Sequence, residues 1–525
     1  MLKMVKATIY MILIFFTVLF IASSFFVRAK YNYYIYGDRP VLTKQEPAIF
    51  FMLILIILTA GFFFYKISLK LDRYHKRIVV PGSILISFLL QIGFILAFPR
   101  LPTDDSKTVY TLALNMFYHK DYSSFGECGY LHMFPFNYGT VLYIMVLLKL
   151  FPDSYTVIKI FNILLSLVTT LMIYKINKLL DCKSAYNDYG ILFFAATYIP
   201  GIVMSNFIYN DTIATAFLTC SIYFLIRFVW GRAVRYLAFS AFLLSIGNYF
   251  RSIGLIFLIA AVIYIILNIK ILKPKKVIIS VLILIFTFNI PGMAENYYLQ
   301  KANIISGSVR ENSAPVHMWL NMGMNFEKLG FWDDFKSYNI YRIDAGHNKQ
   351  LSIKLFKQEI KEKISNTTIG GLLLHYYKKL IWTWTEGTYQ IERYGFGNDI
   401  DTSDKNCPRH GGYKYRTYAT NLFKDDSICR SAMNWILYVI NFLMYLFILF
   451  GLAAGIKAGR YEELLLVLTV LGIIAFYLIW EIKSRYIYPA YPILIILSFQ
   501  GFKRVYDTIK SKRQRKAKIF RTCRS

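Results

Sequence analysis

Long uninterrupted runs of apolar residues limit how this chain can fold more than any other feature of its sequence. A helix needs about 20 residues to cross a bilayer, whereas a soluble core alternates apolar with polar positions. We interpret twelve runs as membrane spans: residues 7–27, 47–65, 78–98, 156–174, 189–208, 212–229, 236–250, 253–269, 277–291, 434–456, 462–480 and 486–500. The sequence therefore predicts an all-α polytopic membrane protein with about twelve transmembrane helices.

Composition and charge agree with this class of protein. Hydrophobic residues make up 56% of the 525 residues, charged residues only 17%, and the mean hydropathy is +0.44. Lys and Arg number 60 against 30 Asp and Glu, which gives a formal net charge of +30. Because this positive charge lies between the apolar runs, it indicates orientation in a bilayer, and we expect no nucleic-acid partner.

The apolar run at residues 138–151 decides the topology, because counting it as a span inverts everything after it. Its fourteen residues are short for a span. Without it, the main basic clusters and the tail at 503–525 fall on one side, as the positive-inside rule requires. We therefore interpret 138–151 as a helix in the outer interface. This predicts a multi-pass plasma-membrane protein with both termini in the cytoplasm and the segments 99–155 and 292–433 outside.

The same pattern divides the chain into five regions. They are two N-terminal transmembrane helices (1–77), a transmembrane module with a large first outer loop (78–291, loop 99–155), an extracytoplasmic domain (292–433), C-terminal transmembrane helices (434–502) and a basic cytoplasmic tail (503–525). Turn-forming residues predict that the extracytoplasmic domain is small and of α/β or irregular structure. Within it, residues 372–384 are expected to lie on the membrane.

The cysteines and histidines give little indication of a metal site. Three of the six cysteines, Cys128, Cys407 and Cys429, fall outside in this topology. Cys407 and Cys429 could form a disulfide, but free thiols fit the sequence equally well. Since the chain has no CxxC and no His cluster with metal-ligand spacing, no cofactor is expected, although a divalent cation stays possible.

Two adjacent acids directly follow the third predicted span. Asp104 and Asp105 lie in Pro102-Thr-Asp-Asp, and carboxylates beside spans are candidates for function in a membrane protein. Thr103 or Asp104 could instead cap a helix that runs through Tyr110. Because capping and catalysis are compatible, both interpretations stay open.

Four more charged residues belong to the same outer side: Asp211, Arg251, Lys483 and Arg485. A helix cap would explain the acid, and snorkelling to headgroups would explain the bases. However, Lys483 and Arg485 break the positive-inside pattern, which favours a function for them. A carboxylate suits a general base, and a guanidinium suits bidentate binding of phosphate. These residues together indicate transfer from a lipid phosphate to a hydroxyl group at the headgroup level.

Five short motifs in order resemble the GT-C membrane glycosyltransferases. The resemblance is closest to the branch of the protein O-mannosyltransferases and the bacterial aminoarabinose transferases of lipid A. The motifs are Asp104-Asp with the later His119-Lys-Asp-Tyr, Pro135-Phe-Asn-Tyr-Gly, Ser205-Asn with Asp211, Phe250-Arg-Ser-Ile-Gly, and Arg485-Tyr-Ile-Tyr-Pro-Ala-Tyr-Pro. Each is weak alone, but their order and positions support one another. The resemblance covers about residues 78 to 300 and 434 to 500.

This resemblance implies an inverting hexosyltransferase that uses a polyprenyl-phosphate-linked sugar from the outer leaflet. The acceptor would be a cell-envelope glycan, a glycolipid or a protein. By position, Asp104 would deprotonate the acceptor hydroxyl with help from Asp105, and Asp211 would orient the acceptor or support Asp104. Arg251 and Arg485, joined by Lys483, would bind the departing lipid phosphate. Asp105 departs from the Glu that is common at its position.

Two other classes of protein fit parts of the pattern. A transporter or flippase of envelope precursors would also have many spans, but it should carry charged residues in the middle of them. The charges of this chain gather at span ends, which favours surface chemistry. A non-catalytic envelope assembly protein would tolerate loss of Asp104.

Overall fold

The computed structural model describes residues 2–32, 39–181, 187–311, 313–397, 412–424 and 426–522, with side chains described to residue 511. The N-terminal part consists of α1 (Leu2–Ser24), a β-hairpin, α2 (Pro47–Ser68) and α3 (Lys76–Ala97). The hairpin pairs β1 (Val27–Asn32) with β2 (Arg39–Lys44) in antiparallel register, with Val27 opposite Lys44. This hairpin was not predicted from the sequence, because its strands are short and mostly polar.

The first outer loop and the central module consist of helices joined by short irregular segments. The loop contains α4 (Asp104–Leu114), α5 (Tyr130–Met133) and α6 (Tyr138–Leu150). The module continues with α7 (Tyr155–Leu180), α8 (Tyr189–Ala196), α9 (Ile199–Val203), α10 (Asn210–Gly231), α11 (Val234–Phe250), α12 (Gly254–Leu267), α13 (Ile269–Leu272), α14 (Pro274–Phe288) and α15 (Ile290–Lys301).

The C-terminal third is also helical. Its outer segment contains α16 (Val316–Gly323), α17 (Ser337–Asn339), α18 (Lys349–Ser365), α19 (Ile369–Thr385) and α20 (Tyr418–Leu422). Three long helices follow: α21 (Ile428–Ala458), α22 (Leu464–Ile479) and α23 (Tyr491–Thr522). No β-strand occurs in the described residues of 292–433. The described residues therefore give no support to the α/β alternative, whereas irregular stretches such as 302–311 and 324–336 alternate with the helices.

The structure supports fewer spans than the twelve that the sequence predicted. Within the described residues, seven helices are long and apolar enough to cross a membrane, or up to nine if two bent pairs are each one span. The remaining predicted spans correspond to shorter or more polar helices, such as α12 with 14 residues and α22 with 16. A helix of 14 residues is only about 21 Å long, which is short of the roughly 30 Å hydrocarbon core.

Residues 138–151, which the sequence placed in the outer interface, belong to one of the two bent helix pairs. Helix α6 is joined to the preceding helical stretch, Ser123–Met133, through a 99° bend. A bend of this size turns α6 away from its predecessor, so the two do not form one straight span. The predicted placement of α6 in the outer interface remains a prediction.

Helix packing in the C-terminal half depends on glycine at one crossing. Helices α21 and α23 pack closely, and a Cβ on Gly451 would lie 3.0 Å from the Cα of Gly501. A Cβ on Gly501 would overlap the carbonyl oxygen of Phe447. Only glycine permits this backbone approach. The two glycines therefore set how closely α21 and α23 approach each other.

The outer helix α19 departs from its predicted place on the membrane surface. Its first half exposes Ile369 and Leu373, as a surface-lying helix would, but its second half is buried. Trp382 and Trp384 pack in the main core, and Lys379 is buried with its Nζ donating to the carbonyl of Gly323 at 2.8 Å. The lysine that suggested a water-facing side is therefore satisfied inside the protein.

Two smaller predictions are partly outside the described residues. Cys407 is not described, so its pairing with Cys429 stays open, and no disulfide forms among the described cysteines. The basic tail begins inside a continuous helix, since α23 runs from Tyr491 through residue 503. Its first lysine, Lys503, is buried against Asp181 and Asp188, with Nζ–Oδ2 distances of 2.5 and 2.9 Å.

Candidate active site

Three of the predicted site residues meet in one buried cluster. Asp211, in the first turn of α10, is fully buried and pairs with two arginines. Its Oδ1 accepts a hydrogen bond from Nη1 of Arg251, which follows the last residue of α11. Its Oδ2 lies 3.2 Å from Nη1 of Arg485, in the 3-10 turn before α23. One carboxylate thus holds two cations from separate turns.

Aromatic rings enclose the guanidinium group of Arg485. Its Cζ lies 4.1 Å from the ring centre of Tyr394, and three further rings lie within 5.6 Å: Phe207, Tyr209 and Tyr486. Arg251 lies over the ring of Tyr486 at 5.2 Å. Such rings stabilise a desolvated cation through their negative faces. The Nε of Arg485 is buried and has no hydrogen-bond partner in the described part of the chain.

The two adjacent acids at the start of α4 make different contacts. Asp104 adopts a left-handed backbone conformation with φ of +50°, and its Oδ2 accepts hydrogen bonds from Arg393. The distances are 3.2 Å from Nε and 2.8 Å from Nη2. Asp105 is exposed, and its Oδ1 accepts from the hydroxyl of Tyr130 at 3.0 Å. The expected side-chain cap does not form at Thr103, whose hydroxyl instead accepts from Arg100.

A chain of hydrogen bonds leads from Asp105 toward the arginine cluster. Asn137 Nδ2 donates to the hydroxyl of Tyr130 at 2.7 Å, and the hydroxyl of Tyr209 donates to Asn137 Oδ1 at 2.7 Å. Tyr209 is also one of the rings around Arg485. The Pro135-Phe-Asn-Tyr-Gly motif thus supplies the amide that connects the first outer loop with α10.

Lys483 lies beside this cluster with its own acidic partner. Its Nζ is 3.9 Å from Oε1 of Glu481, which is almost fully buried and accepts from the hydroxyl of Tyr486. Burial raises the pKa of Glu481, and Lys483 partly opposes that shift. Lys483 also lies over the ring of Tyr486 at 5.7 Å. The described contacts pair Lys483 with Glu481, whereas Arg251 and Arg485 share Asp211.

Sequence reasoning missed the segment of residues 386–397, which supplies two site residues. Arg393 binds Asp104, and Tyr394 packs against Arg485. The segment folds through Gly387, at φ of +76°, where a Cβ would lie 2.9 Å from Asn441. Burial alone would raise the pKa of the Tyr394 phenol, but Arg485, Lys483 and Arg393 lower it below its ordinary value. The ring of Tyr394 therefore contacts both Arg393, which binds Asp104, and Arg485, which binds Asp211.

A metal centre is not evident in the described residues. They contain no group of three His, Cys, Asp or Glu side chains placed to hold a metal ion. The expectation of a reaction without a resident metal stays a prediction.

Comparison with known proteins identifies a related family for part of the chain. Residues 140–291, which include Asp211 and Arg251, match the family described as dolichyl-phosphate-mannose-protein mannosyltransferase. This match supports the resemblance to the GT-C glycosyltransferases inferred from the motifs. A search of curated proteins gives no match.

A solved structure is also similar to this chain. It is the archaeal oligosaccharyltransferase AglB from Archaeoglobus fulgidus, in complex with an inhibitory peptide and a dolichol-phosphate. Sequence identity is 12%, the TM-score is 0.43, and the match covers 85% of this chain and 52% of AglB. The chain thus spans about half the length of that protein.

Proposed function

We propose that this protein transfers a sugar from a polyprenyl-phosphate donor to an acceptor hydroxyl at the outer face of the membrane. The observation that carries the proposal is the convergence of Arg251 and Arg485 on the buried Asp211. The family match over residues 140–291 supports a donor whose sugar is linked to a lipid phosphate. Polyprenyl-phosphate-mannose is therefore the first donor to test.

The charge of the arginine cluster suits a departing phosphate. Two guanidinium groups face one carboxylate, so the cluster keeps a net positive charge of one. As the bond between the anomeric carbon and the phosphate oxygen breaks, negative charge grows on the phosphate, and preorganised cations stabilise it. The unpartnered Nε of Arg485 is a further donor within the cluster. Arg251, whose side chain is 11% exposed, is the more accessible of the two cations.

Asp211 acts in this proposal as a positioning residue. It is fully buried and both of its oxygens bind arginines, so it holds the two guanidinium groups at a fixed separation. Removing one partner from such a buried group leaves uncompensated charge. This role replaces acceptor orientation as the interpretation that the contacts favour.

Asp104 serves as the general base in the proposed reaction. It takes the proton of the acceptor hydroxyl while the acceptor oxygen attacks the anomeric carbon from the face opposite the phosphate, which gives inversion. Arg393 fixes the carboxylate of Asp104 through two hydrogen bonds. Asp105 assists through its hydrogen bond with Tyr130, which connects the acids with the arginine cluster.

The proposal is tested by comparing the envelope glycans of cells that carry the gene with those of cells that lack it. Cells that lack the protein should lose one mannose-containing glycan signal in mass spectrometry and accumulate its unglycosylated acceptor. Complementation with the wild-type chain should restore the signal, and complementation with Arg485→Lys should not. Identical glycan profiles in the presence and absence of the gene would contradict the proposal.

A further inference from the structure

A polar groove lies beside the arginine cluster and plays no part in the reaction described so far. Its volume is about 430 Å³, within the roughly 300–1,000 Å³ of small-molecule sites. It lies between the end of α11, helix α15 and the start of the short turn before α6. Its lining includes Phe136, Asn248, Ser252, Glu295 and Asn296.

The groove adjoins the candidate active site on two sides. Phe136 immediately precedes Asn137, whose amide connects Tyr130 with Tyr209. Ser252 immediately follows Arg251 of the cluster. Two separate elements, the turn before α6 and the end of α11, therefore contribute residues both to the groove and to the candidate active site.

The lining offers hydrogen-bonding groups that the protein does not use itself. The side-chain amide of Asn248 makes no hydrogen bond within the described part of the chain. Asn296 uses its Oδ1 to accept from the backbone of Val309 at 3.0 Å, and its amino group has no partner among the described residues. Ser252 adds a hydroxyl, and Glu295 adds a carboxyl group that also accepts a hydrogen bond from the hydroxyl of Tyr249.

Ring faces accompany these polar groups. Phe136 lines the groove with 40% of its surface exposed, and Tyr297 is 67% exposed on α15. A sugar ring presents hydroxyl groups around its edge and apolar C–H groups on its faces. A site with amides, a carboxylate and exposed aromatic rings matches both parts of that surface.

The combined length of α14 and α15 places this groove at the membrane boundary rather than in the hydrocarbon core. Helices α14 and α15 together span Pro274–Lys301, 28 residues, or roughly 42 Å against a core of roughly 30 Å. The basic residues Lys273, Lys275 and Lys276 stand at the start of α14 and place that end at the other boundary. The last two turns of α15, with Glu295 and Asn296, therefore extend beyond the core.

We infer that this groove binds the acceptor, and that the acceptor is a glycan with several free hydroxyl groups rather than a protein side chain or a bare lipid. The inference rests on the proposed function, because it takes the neighbouring cluster to hold the donor phosphate. The ligand's reactive hydroxyl would lie at the end of the groove formed by Phe136, toward the hydrogen-bonded chain of Asn137, Tyr130 and Asp105. Its remaining hydroxyls would bind Asn248, Glu295 and Asn296.

The test uses the full chain in lipid nanodiscs and two probes. The first probe is a short-chain polyprenyl-phosphate-mannose, which reports the donor site. The second probe is a set of three neutral trisaccharides: maltotriose, triacetylchitotriose and mannotriose. Saturation-transfer NMR measures their binding. At least one trisaccharide should bind the wild-type chain. The double variant Asn248→Ala with Glu295→Gln should bind it about fivefold or more weakly, with donor binding unchanged.

A matched control and the contrary outcomes keep the test decisive. Glu327→Gln removes an exposed carboxylate of the outer segment, 81% exposed and away from the groove lining, and should change neither probe. No binding of any trisaccharide, equal binding by the double variant, or loss of donor binding in that variant would each overturn the inference. Failure of the donor probe to bind the wild-type chain would instead contradict the proposed function itself.

Discussion

The carboxylate of Asp104 accepts two hydrogen bonds from the guanidinium of Arg393, which lies 289 residues later in the chain. The contact joins the first outer loop to the segment 386–397. That same segment carries Tyr394 against Arg485. The acid proposed as base and the cation proposed to bind phosphate are therefore held in place by one short piece of chain.

Replacing Asp104 by Asn should abolish most of the transfer reaction. The amide keeps the shape of the side chain but cannot take a proton, so turnover should fall by about 10²-fold. Turnover is measured as mannose transfer by the full chain in nanodiscs. Glu127→Gln, which changes an exposed acid of the same outer loop outside the motifs, serves as the control. Normal turnover in Asp104→Asn would shift the base to Asp105.

Tyr130→Phe should weaken the reaction without changing donor affinity. The substitution removes only the hydroxyl that donates to Asp105 and accepts from Asn137, at 3.0 and 2.7 Å. Turnover should fall several-fold, as expected for loss of a hydrogen bond. The check is a comparison of kcat and donor KM with those of Tyr118→Phe, an exposed tyrosine on the same loop. A change in donor KM alone would contradict this role.

Asp211→Asn should lower both stability and donor binding. The substitution leaves Arg251 and Arg485 buried without a countercharge, which costs about 3–5 kcal/mol for a buried ion pair. Thermal unfolding of the purified chain measures the first effect, and titration with the donor probe measures the second. Asp153→Asn removes an exposed acid whose partner is the neutral phenol of Tyr110, so it should destabilise far less. Equal effects of the two variants would exclude the positioning role.

The topology can be tested by fusing reporters at three positions. Reporters after Asp211 and after Arg485 should be found outside, and a reporter after Lys518 should be found inside, because the basic clusters then lie in the cytoplasm. Labelling of intact cells distinguishes the two sides. A tail found outside would mean that residues 138–151 cross the membrane.

Sequence patterns marked much of the site because its charges interrupt apolar runs. A charged residue stands at the end of such a run in four places: Asp104, Asp211, Arg251 and Arg485. Burying a charge beside a membrane span costs free energy, so each of these residues is a candidate for function. The patterns also gave the position of most long helices. They could not give the number of true spans, since some apolar helices are too short to cross the hydrocarbon core, as α12 is with 14 residues.

The contacts within the site could not be read from the sequence. Arg393 is one of several basic residues in a polar segment, and nothing in its neighbourhood marks it as a partner of Asp104. Its position depends on how residues 386–397 fold back over α4 and α10. The shared pairing of Asp211 with two arginines likewise depends on helix packing, because the three residues come from three separate turns.

The most direct test of the account measures donor use by Arg485→Lys. A lysine keeps the charge but lacks the planar fork that binds phosphate and packs on the ring of Tyr394. With short-chain polyprenyl-phosphate-mannose as the donor, kcat/KM should fall about 30-fold or more, since disrupting a desolvated charge pair costs about 2–5 kcal/mol. The control variant Arg227→Lys, at the opposite end of α10, should leave kcat/KM for the donor unchanged. Equal kcat/KM for the wild type and Arg485→Lys would contradict the claim that this arginine holds the lipid phosphate.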